Sequence, residues 1–255
     1  MPDAAAAAEG RRVLSERHRV MAAIVGLLIV FECGAVTLLA AAFGFDLASF
    51  AHFGSLFDRP PEAAELLRWG ALLDIGGYLA FGMVVLYVGH RLWPVNELIV
   101  GALTASGVGA LIVGGTGAAV LGTVGPSLLG EFGVAPDAAQ GAARIALDTL
   151  GRVVVAGLWG TITFGLLGAW LFGVGLLLQR EKGFARAAML GGSGMIASSI
   201  RTASTGRILP ELARPADTLV VLIIVVLLAF FFIWLLWLAV RLWQDPHGAI
   251  AKSAR

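Results

Sequence analysis

Charged residues and cysteine are both scarce in this sequence, and each shortage excludes a class of protein. Asp, Glu, Lys and Arg make up 14% of the 255 residues, compared with roughly 25% in a typical soluble domain. A soluble domain of this length could not cover its surface with so few charges, so a bilayer must surround much of the chain. The single cysteine, Cys33, excludes an intramolecular disulfide and a cysteine-based metal cluster. The net charge of +1 argues against a nucleic-acid partner.

Motifs of the common catalytic and metal sites are also missing. The histidines lie on separate loops or tails, with no spacing that makes a metal site: His18, His52, His90 and His247. The sequence has no metalloprotease helix motif, no phosphate-binding loop and no serine elbow. The segment Gly191-Gly192-Ser193-Gly194 superficially resembles a phosphate loop, but no strand precedes it, so we interpret it as a helix-packing segment. We therefore predict no metal ion, no cofactor and no enzyme of a recognisable class.

Long apolar segments dominate what is present. Hydrophobic residues make up 58% of the chain, and the mean hydropathy is +0.88. Six segments approach or exceed the ~20 residues that cross a bilayer, at about residues 20–45, 66–89, 97–124, 145–179, 184–205 and 219–240. Because lipid offers the backbone no hydrogen-bond partners, these segments must be helices. We predict an all-α, multi-pass transmembrane bundle of about six helices over residues 20–243, between a basic tail (1–19) and a C-terminal tail (244–255).

Basic residues predict the orientation of the bundle. Lys and Arg are more frequent in segments 1–19, 90–96, 180–186 and 241–255 than in the segments between them. The positive-inside rule then places both termini in the cytoplasm and makes 46–66 and 125–144 external loops. The fifth apolar segment, 184–205, is the weakest because it is small and serine-rich. Without it, the C-terminus would be external.

The first apolar segment has a second interpretation as a signal peptide. Arg11 and Arg12 precede it, and Ala40-Ala41-Ala42 resembles a cleavage site. However, the apolar core of a signal peptide usually has about 7–15 residues, whereas this segment is longer and contains Glu32. We favour a retained first helix.

Small residues recur every four positions in two of the predicted helices. One row contains Gly157, Thr161, Gly165, Ala169 and Gly173, and the third helix has similar rows from Gly101 and from Gly114. Such rows let neighbouring backbones approach closely, which is how helices associate in lipid. Helix packing is the simpler interpretation, and a glycine-lined cavity is the alternative.

Five charged residues within or near the predicted helices are candidates for a binding site: Glu32, Asp74, Asp148, Arg152 and Arg201. Placing one charged side chain in the hydrocarbon core costs at least about 2.5–3.5 kcal/mol, so the presence of each of these residues needs an explanation. Glu32 is expected near the midplane, roughly 17 Å from the inner end of its helix, and a protonated Glu32 would avoid the cost. Asp74 shares a stripe with Gly70, Gly77, Tyr78 and Phe81. Asp148 and Arg152 have the spacing of an intrahelical ion pair.

We expect these five residues to form one polar cluster that opens toward the external face. The alternative is that they are structural ion pairs, or side chains that reach to the membrane interface. Hydroxyl groups at Ser198, Ser199, Thr202 and Ser204 could line a polar path, but hydrogen bonds between helices are the simpler interpretation.

The hinge after the fourth predicted helix carries a family resemblance. Gly175-Leu176-Leu177-Leu178, Gly183-Phe184, Arg186 and Leu190-Gly191 resemble a turn that recurs in bacterial six-helix membrane proteins catalogued as a domain of unknown function. The long first external loop and Leu67-Arg68 followed by Asp74 are also similar, so the resemblance covers about residues 20–200. Ala185 stands where that family has a proline. The resemblance implies an uncharacterised plasma-membrane protein and transfers no catalytic residue.

The functional expectation is an integral membrane protein that binds or transports a small or lipid-like molecule. Arg outnumbers Lys by sixteen to two, a bias typical of GC-rich bacterial genomes, so the bacterial plasma membrane is the expected location. One alternative is a membrane-embedded enzyme that uses Glu32 and Asp74 as acid and base on an apolar substrate. Another is a structural or regulatory subunit whose glycine-rich faces bind a membrane-protein partner or a second copy of the chain.

Overall fold

Helices make up nearly all of the described chain. The computed structural model describes the backbone of residues 4–46, 52–205 and 215–244, and these residues contain no strand. The α-helices are α1 (Ala4–Ala42), α2 (Glu62–Leu92), α3 (Glu97–Phe132), α4 (Asp137–Gly151), α5 (Phe164–Leu177), α6 (Lys182–Thr205) and α7 (Pro215–Gln244). A 3-10 helix, Phe53–Asp58, precedes α2, and a π-helical segment, Arg152–Thr163, joins α4 to α5. The all-α prediction is confirmed.

Five helices are long and apolar enough to cross a membrane. Within the described residues they are Glu16–Ala42, Glu62–Leu92, Glu97–Phe132, Asp137–Leu177 and Leu222–Gln244. The chain is therefore a multi-pass membrane protein. Helix α6 coincides with the weakest predicted segment and is not among the five, because its glycine and serine content lowers its hydropathy.

The second predicted external loop is mostly helical. Residues 125–144 were expected to form a loop, but α3 continues through Pro126 to Phe132 and α4 begins at Asp137. The prediction was wrong because it ended each helix where the apolar residues ended. A helix can continue past the hydrocarbon core, where water and headgroups accept its polar side chains.

The helices form a ring in chain order. Each α-helix packs against the next except α4, which packs against α3 and the π segment. Helix α3 also packs against the π segment and α5, and α7 packs against α1. Glycines allow the closest approach: a Cβ at Gly168 of α5 would lie 2.8 Å from the carbonyl oxygen of Gly192 in α6, and a Cβ at Gly192 would lie 2.7 Å from the oxygen of Gly168. At these positions the small residues serve in helix packing.

Two separate apolar clusters fill the ring. The large cluster includes α1 residues from Ala22 to Leu28 and α2 residues from Phe81 to Leu92, and it also contains Trp170 and Trp234. The ring centroids of Phe81 and Trp170 are 5.3 Å apart, and those of Trp170 and Trp234 are 5.8 Å apart. The small cluster lies at the opposite end and includes Phe43 and Phe53. A gap in the apolar core therefore separates the two ends of the bundle.

Candidate functional site

Polar side chains occupy the gap between the two apolar clusters. In α1, Leu28 belongs to the large cluster and Leu39 to the small one, and Glu32 lies between them. In α2, Asp74 lies between Leu67 of the small cluster and Phe81 of the large one. We call Glu32, Asp74, Tyr78, Thr163 and Trp159 the polar layer, although the ring of Trp159 also packs against the small cluster.

The carboxyl group of Glu32 lies directly against the backbone of α2. A Cβ added at Gly77 would clash with Oε1 of Glu32 and would lie 3.1 Å from its Cδ. The absence of a side chain at Gly77 therefore makes the space that the Glu32 carboxyl group occupies. Glu32 itself is half-buried.

Asp74 lies on the same face of α2 and close to Glu32. Its exposed fraction is 8%, and its carboxyl group lies close enough to that of Glu32 for the two groups to interact electrostatically. Tyr78, one turn after Asp74, interacts electrostatically with both acids. Two acids and a phenol therefore lie close together where α1 packs against α2.

Tyr78 extends from α2 onto α3. Its ring lies against Gly114, where an added Cβ would be 2.6 Å from Oη of Tyr78. From the other side, Nε1 of Trp159 donates a hydrogen bond of 2.9 Å to the carbonyl oxygen of Gly114. The glycine-rich middle of α3 thus accommodates aromatic side chains from both of its neighbours.

The π segment supplies Trp159 and Thr163 to the polar layer. A π helix of 12 residues is unusual, because π geometry mostly occurs as single turns, frequently at functional sites. Hydroxyl groups support its backbone: Oγ1 of Thr161 donates to the carbonyl oxygen of Ala156 at 2.8 Å, and Oγ of Ser199 donates to that of Thr161 at 2.6 Å. Oγ1 of Thr163 donates to the carbonyl oxygen of Ala110 in α3 at 3.4 Å. The predicted interhelical role of hydroxyls therefore holds for Ser199.

Asp148 has a partner in the loop between α1 and α2. Its Oδ1 accepts a hydrogen bond of 2.6 Å from the backbone N–H of Gly54, near the start of the 3-10 helix. One turn earlier on α4, Arg144 donates to both carboxylate oxygens of Asp58, at 2.9 and 2.6 Å. Hydrogen bonding from Arg144 lowers the pKa of Asp58 below its ordinary value. We call Arg144 and Asp148 the loop clamp.

The two arginines of the predicted cluster, Arg152 and Arg201, are not part of the polar layer. Arg152 is exposed at the start of the π segment, and the expected pairing with Asp148 is replaced by the bond from Gly54. Arg201 is half-buried near the end of α6, where hydroxyl groups of Ser204 and Thr205 donate to its carbonyl oxygen at 2.8 and 2.9 Å. Of the five predicted residues, the structure brings together Glu32 and Asp74.

No site role was predicted for Tyr78, Trp159 or Arg144 from the sequence. Tyr78 was noted on the Asp74 stripe, and its spacing of four from Asp74 was the available signal. Trp159 was detectable as a tryptophan far from either predicted interface. Arg144 had no local signal, because its partner Asp58 is 86 residues away.

Neither a metal-binding group nor a similar known protein extends this description of the site. Within the described residues, no group of three or more His, Cys, Asp or Glu side chains could hold a metal ion. Comparison with protein-family models, with curated proteins and with solved structures finds no significant match to this chain.

Proposed function

We propose that this protein binds, and moves across a bacterial plasma membrane, a small or lipid-like molecule with a cationic group, in exchange for a proton held by Glu32 and Asp74. The observation that carries the proposal is the position of the Glu32 carboxyl group on Gly77, beside buried Asp74, in the gap between two apolar clusters.

Electrostatics favours proton exchange at this pair. Two neighbouring carboxylates in a low-dielectric interior cannot both stay charged without a counter-charge. Tyr78, the third group that interacts electrostatically with the pair, is a phenol and supplies no positive counter-charge. The empty pair therefore holds a proton, and a bound cationic group replaces it. The surrounding apolar clusters favour a ligand whose remaining surface is apolar.

The proposed bundle has six membrane helices and both termini in the cytoplasm. Helix α6 supplies the sixth crossing: it has 24 residues and packs between α5 and α7. Because its neighbours cover much of it, α6 needs less hydropathy than a helix that faces lipid. The excess of Lys and Arg on the segments assigned to the cytoplasm supports this orientation.

The test uses a lipophilic cation, tetraphenylphosphonium, and the purified chain in nanodiscs. Calorimetry in two buffers of different ionisation enthalpy measures both the affinity and the protons released. We expect the unmodified protein to release a proton on binding, and we expect Glu32→Gln and Asp74→Asn each to weaken binding at least about tenfold, because each removes a charge that the cation requires.

Exposed acids provide matched controls for these two substitutions. Glu97→Gln and Asp137→Asn make the same chemical changes at exposed helix starts, and binding should stay unchanged. If Glu32→Gln and Asp74→Asn fold normally and leave affinity and proton release as they were, the proposal is wrong.

A membrane-embedded enzyme is the second candidate, favoured by the same convergence of two carboxyl groups. It would use one of Glu32 and Asp74 as a general acid and the other as a general base. It predicts that an apolar substrate is chemically converted at this site, whereas transport returns the ligand unchanged. Mass spectrometry of ligand recovered after incubation distinguishes the two.

A further inference from the structure

A second polar group of side chains lies at the end of the bundle where α1 begins and α2 ends. There the two helices enclose a groove of about 560 Å³. Its basic lining residues are Arg17, His18, His90 and Arg91, and Glu16 is the one acid. The groove contains no residue of the polar layer, so it is a separate feature.

The groove changes from basic to apolar along its length. Beyond the basic end it is lined by Val20, Met21, Ile24 and Met83. Ile24 lies six residues after His18, so the lining extends roughly 9 Å along the helix axis. Val20 and Met83 have exposed fractions of 60% and 51%, so this part opens sideways toward the hydrocarbon region of a bilayer. A charged end joined to a lipid-facing apolar end fits an amphiphile.

Two buried polar atoms in the groove have no hydrogen-bond partner among the described residues. They are Oη of Tyr87 and Nε of Arg91, one turn apart on α2. Buried polar groups in native proteins are normally hydrogen-bonded, so such atoms call for an unseen partner. An N–H and a phenolic O–H both donate to an acceptor oxygen. The ring of His18 packs edge-on against Tyr87, with centroids 6.0 Å apart, and holds α1 against α2 here.

We propose that this groove binds one anionic phospholipid. Its phosphate accepts hydrogen bonds from Arg91 and from Tyr87 Oη and is neutralised further by Arg17. One acyl chain follows Val20, Ile24 and Met83 into the hydrocarbon. Guanidinium groups match phosphate geometry, and basic pockets between membrane helices on the cytoplasmic side are known to take anionic headgroups. In the orientation proposed above, the groove opens in the cytoplasmic leaflet, where anionic lipids give the surface its negative potential.

Native mass spectrometry of the full chain tests this with phosphatidylglycerol and phosphatidylcholine of identical acyl chains. We expect the unmodified protein to retain phosphatidylglycerol preferentially, and the double variant Arg17→Gln, Arg91→Gln to lose at least about tenfold in its affinity. Arg180→Gln is the matched control, because Arg180 is an exposed arginine at the same end of the bundle, between α5 and α6. The Arg180→Gln variant should still prefer phosphatidylglycerol.

A milder variant keeps the test valid if the double variant does not fold. Tyr87→Phe keeps the ring contact with His18 and removes only the hydroxyl group, so it should fold and still lower the preference for phosphatidylglycerol. Equal retention of the two lipids by the unmodified protein would overturn the proposal, as would an unchanged preference in a folded Tyr87→Phe or double variant. Competition by inorganic phosphate at the same concentration as the lipid would also overturn it, since the site would then take free phosphate.

Discussion

Glu32 occupies the space that a side chain at position 77 would fill. The same relation holds between Tyr78 and Gly114, so two glycines on neighbouring helices let the polar layer form. Without them, the carboxyl group and the phenol would have to turn toward lipid, where their desolvation would be uncompensated. At the scale of single residues, the candidate site depends as much on what is absent at Gly77 as on the acids themselves.

Replacing Gly77 with alanine tests this dependence. The added Cβ would displace the Glu32 carboxyl group, and overpacking of this kind costs about 1–3 kcal/mol. We expect Gly77→Ala to lower the free energy of unfolding in detergent micelles by that amount. On a Glu32→Ala background the cost should vanish, because the group that clashes is gone, and a double-mutant cycle measures the difference.

Gly26→Ala is the matched control for that experiment. Gly26 also lies in a membrane helix, but an added Cβ there meets nothing within 4 Å. Alanine favours the helix by about 1 kcal/mol over glycine, so this variant should be neutral or stabilised. A Gly77→Ala protein as stable as Gly26→Ala would contradict the proposed contact.

The 3-10 helix before α2 is held at both ends by α4. Asp148 accepts from the backbone near its N-terminus, and Arg144 binds Asp58 at its C-terminus. This charge order is the favourable one for a helix dipole. A six-residue element that could not persist alone is thereby attached to the bundle, so at the scale of elements the loop clamp shapes the end of the bundle that α1 and α2 share.

Arg144→Gln should loosen the 3-10 helix in a pH-dependent way. The pKa of Asp58 is lowered in the folded protein from its ordinary value of 3.8. Its pairing therefore contributes to stability above that ordinary pKa, and the contribution is lost as the pH falls through the lower folded-state pKa. Amide hydrogen exchange across residues 54–58 should be faster in the variant near neutral pH, and the difference should shrink in strong acid.

The control for the clamp variant is Arg68→Gln. Arg68 forms an exposed i,i+3 ion pair with Glu65, and both residues lie in α2. Exposed ion pairs of this kind contribute little to the free energy of unfolding. Exchange across residues 54–58 should be unaffected by it. Equal exchange rates in Arg144→Gln and the unmodified protein at neutral pH would refute the clamp.

The whole molecule is a ring that closes where α7 meets α1. Phe184 of α6 stacks on Trp234 of α7 with ring centroids 5.5 Å apart, so α6 lies against the same aromatic core as its neighbours. Whether α6 crosses the membrane decides on which side α7 begins, and therefore where the C-terminus lies. The topology of the whole protein depends on this one helix.

Cysteine labelling in spheroplasts measures that topology. On a Cys33→Ser background, we expect a membrane-impermeant maleimide to label Asp137→Cys in intact spheroplasts. It should label Ala8→Cys, Glu97→Cys and Ser253→Cys only after lysis, because six crossings put both termini and the α2–α3 turn inside. Labelling of Ser253→Cys without lysis, while Ala8→Cys stays protected, would show an odd number of crossings and would contradict α6 as the sixth membrane helix.

The acids of the candidate site were predictable from the sequence, but the partner of Asp148 was not. Glu32 and Asp74 could be singled out because each is a lone acid within an apolar segment, which is a local property of the chain. The i,i+4 spacing of Asp148 and Arg152 predicted a pair on one helix, but the carboxylate of Asp148 binds Gly54, 94 residues away. Local spacing could not anticipate this, because it carries no information about which loop folds over α4.

Much of the architecture was determined by the sequence alone, because a bilayer imposes its constraint locally. The length of an apolar segment and the need to satisfy its backbone specify a membrane helix without reference to any partner. The family resemblance around Gly183-Phe184 and the bacterial origin stay predictions. Only the tertiary structure decided that Glu32 meets Asp74 over Gly77, that Tyr78 and Trp159 meet at α3, and that Arg144 and Asp148 hold a distant loop. These contacts depend on how each helix is rotated about its axis and on how closely small residues let neighbours approach, which the sequence of one helix does not specify.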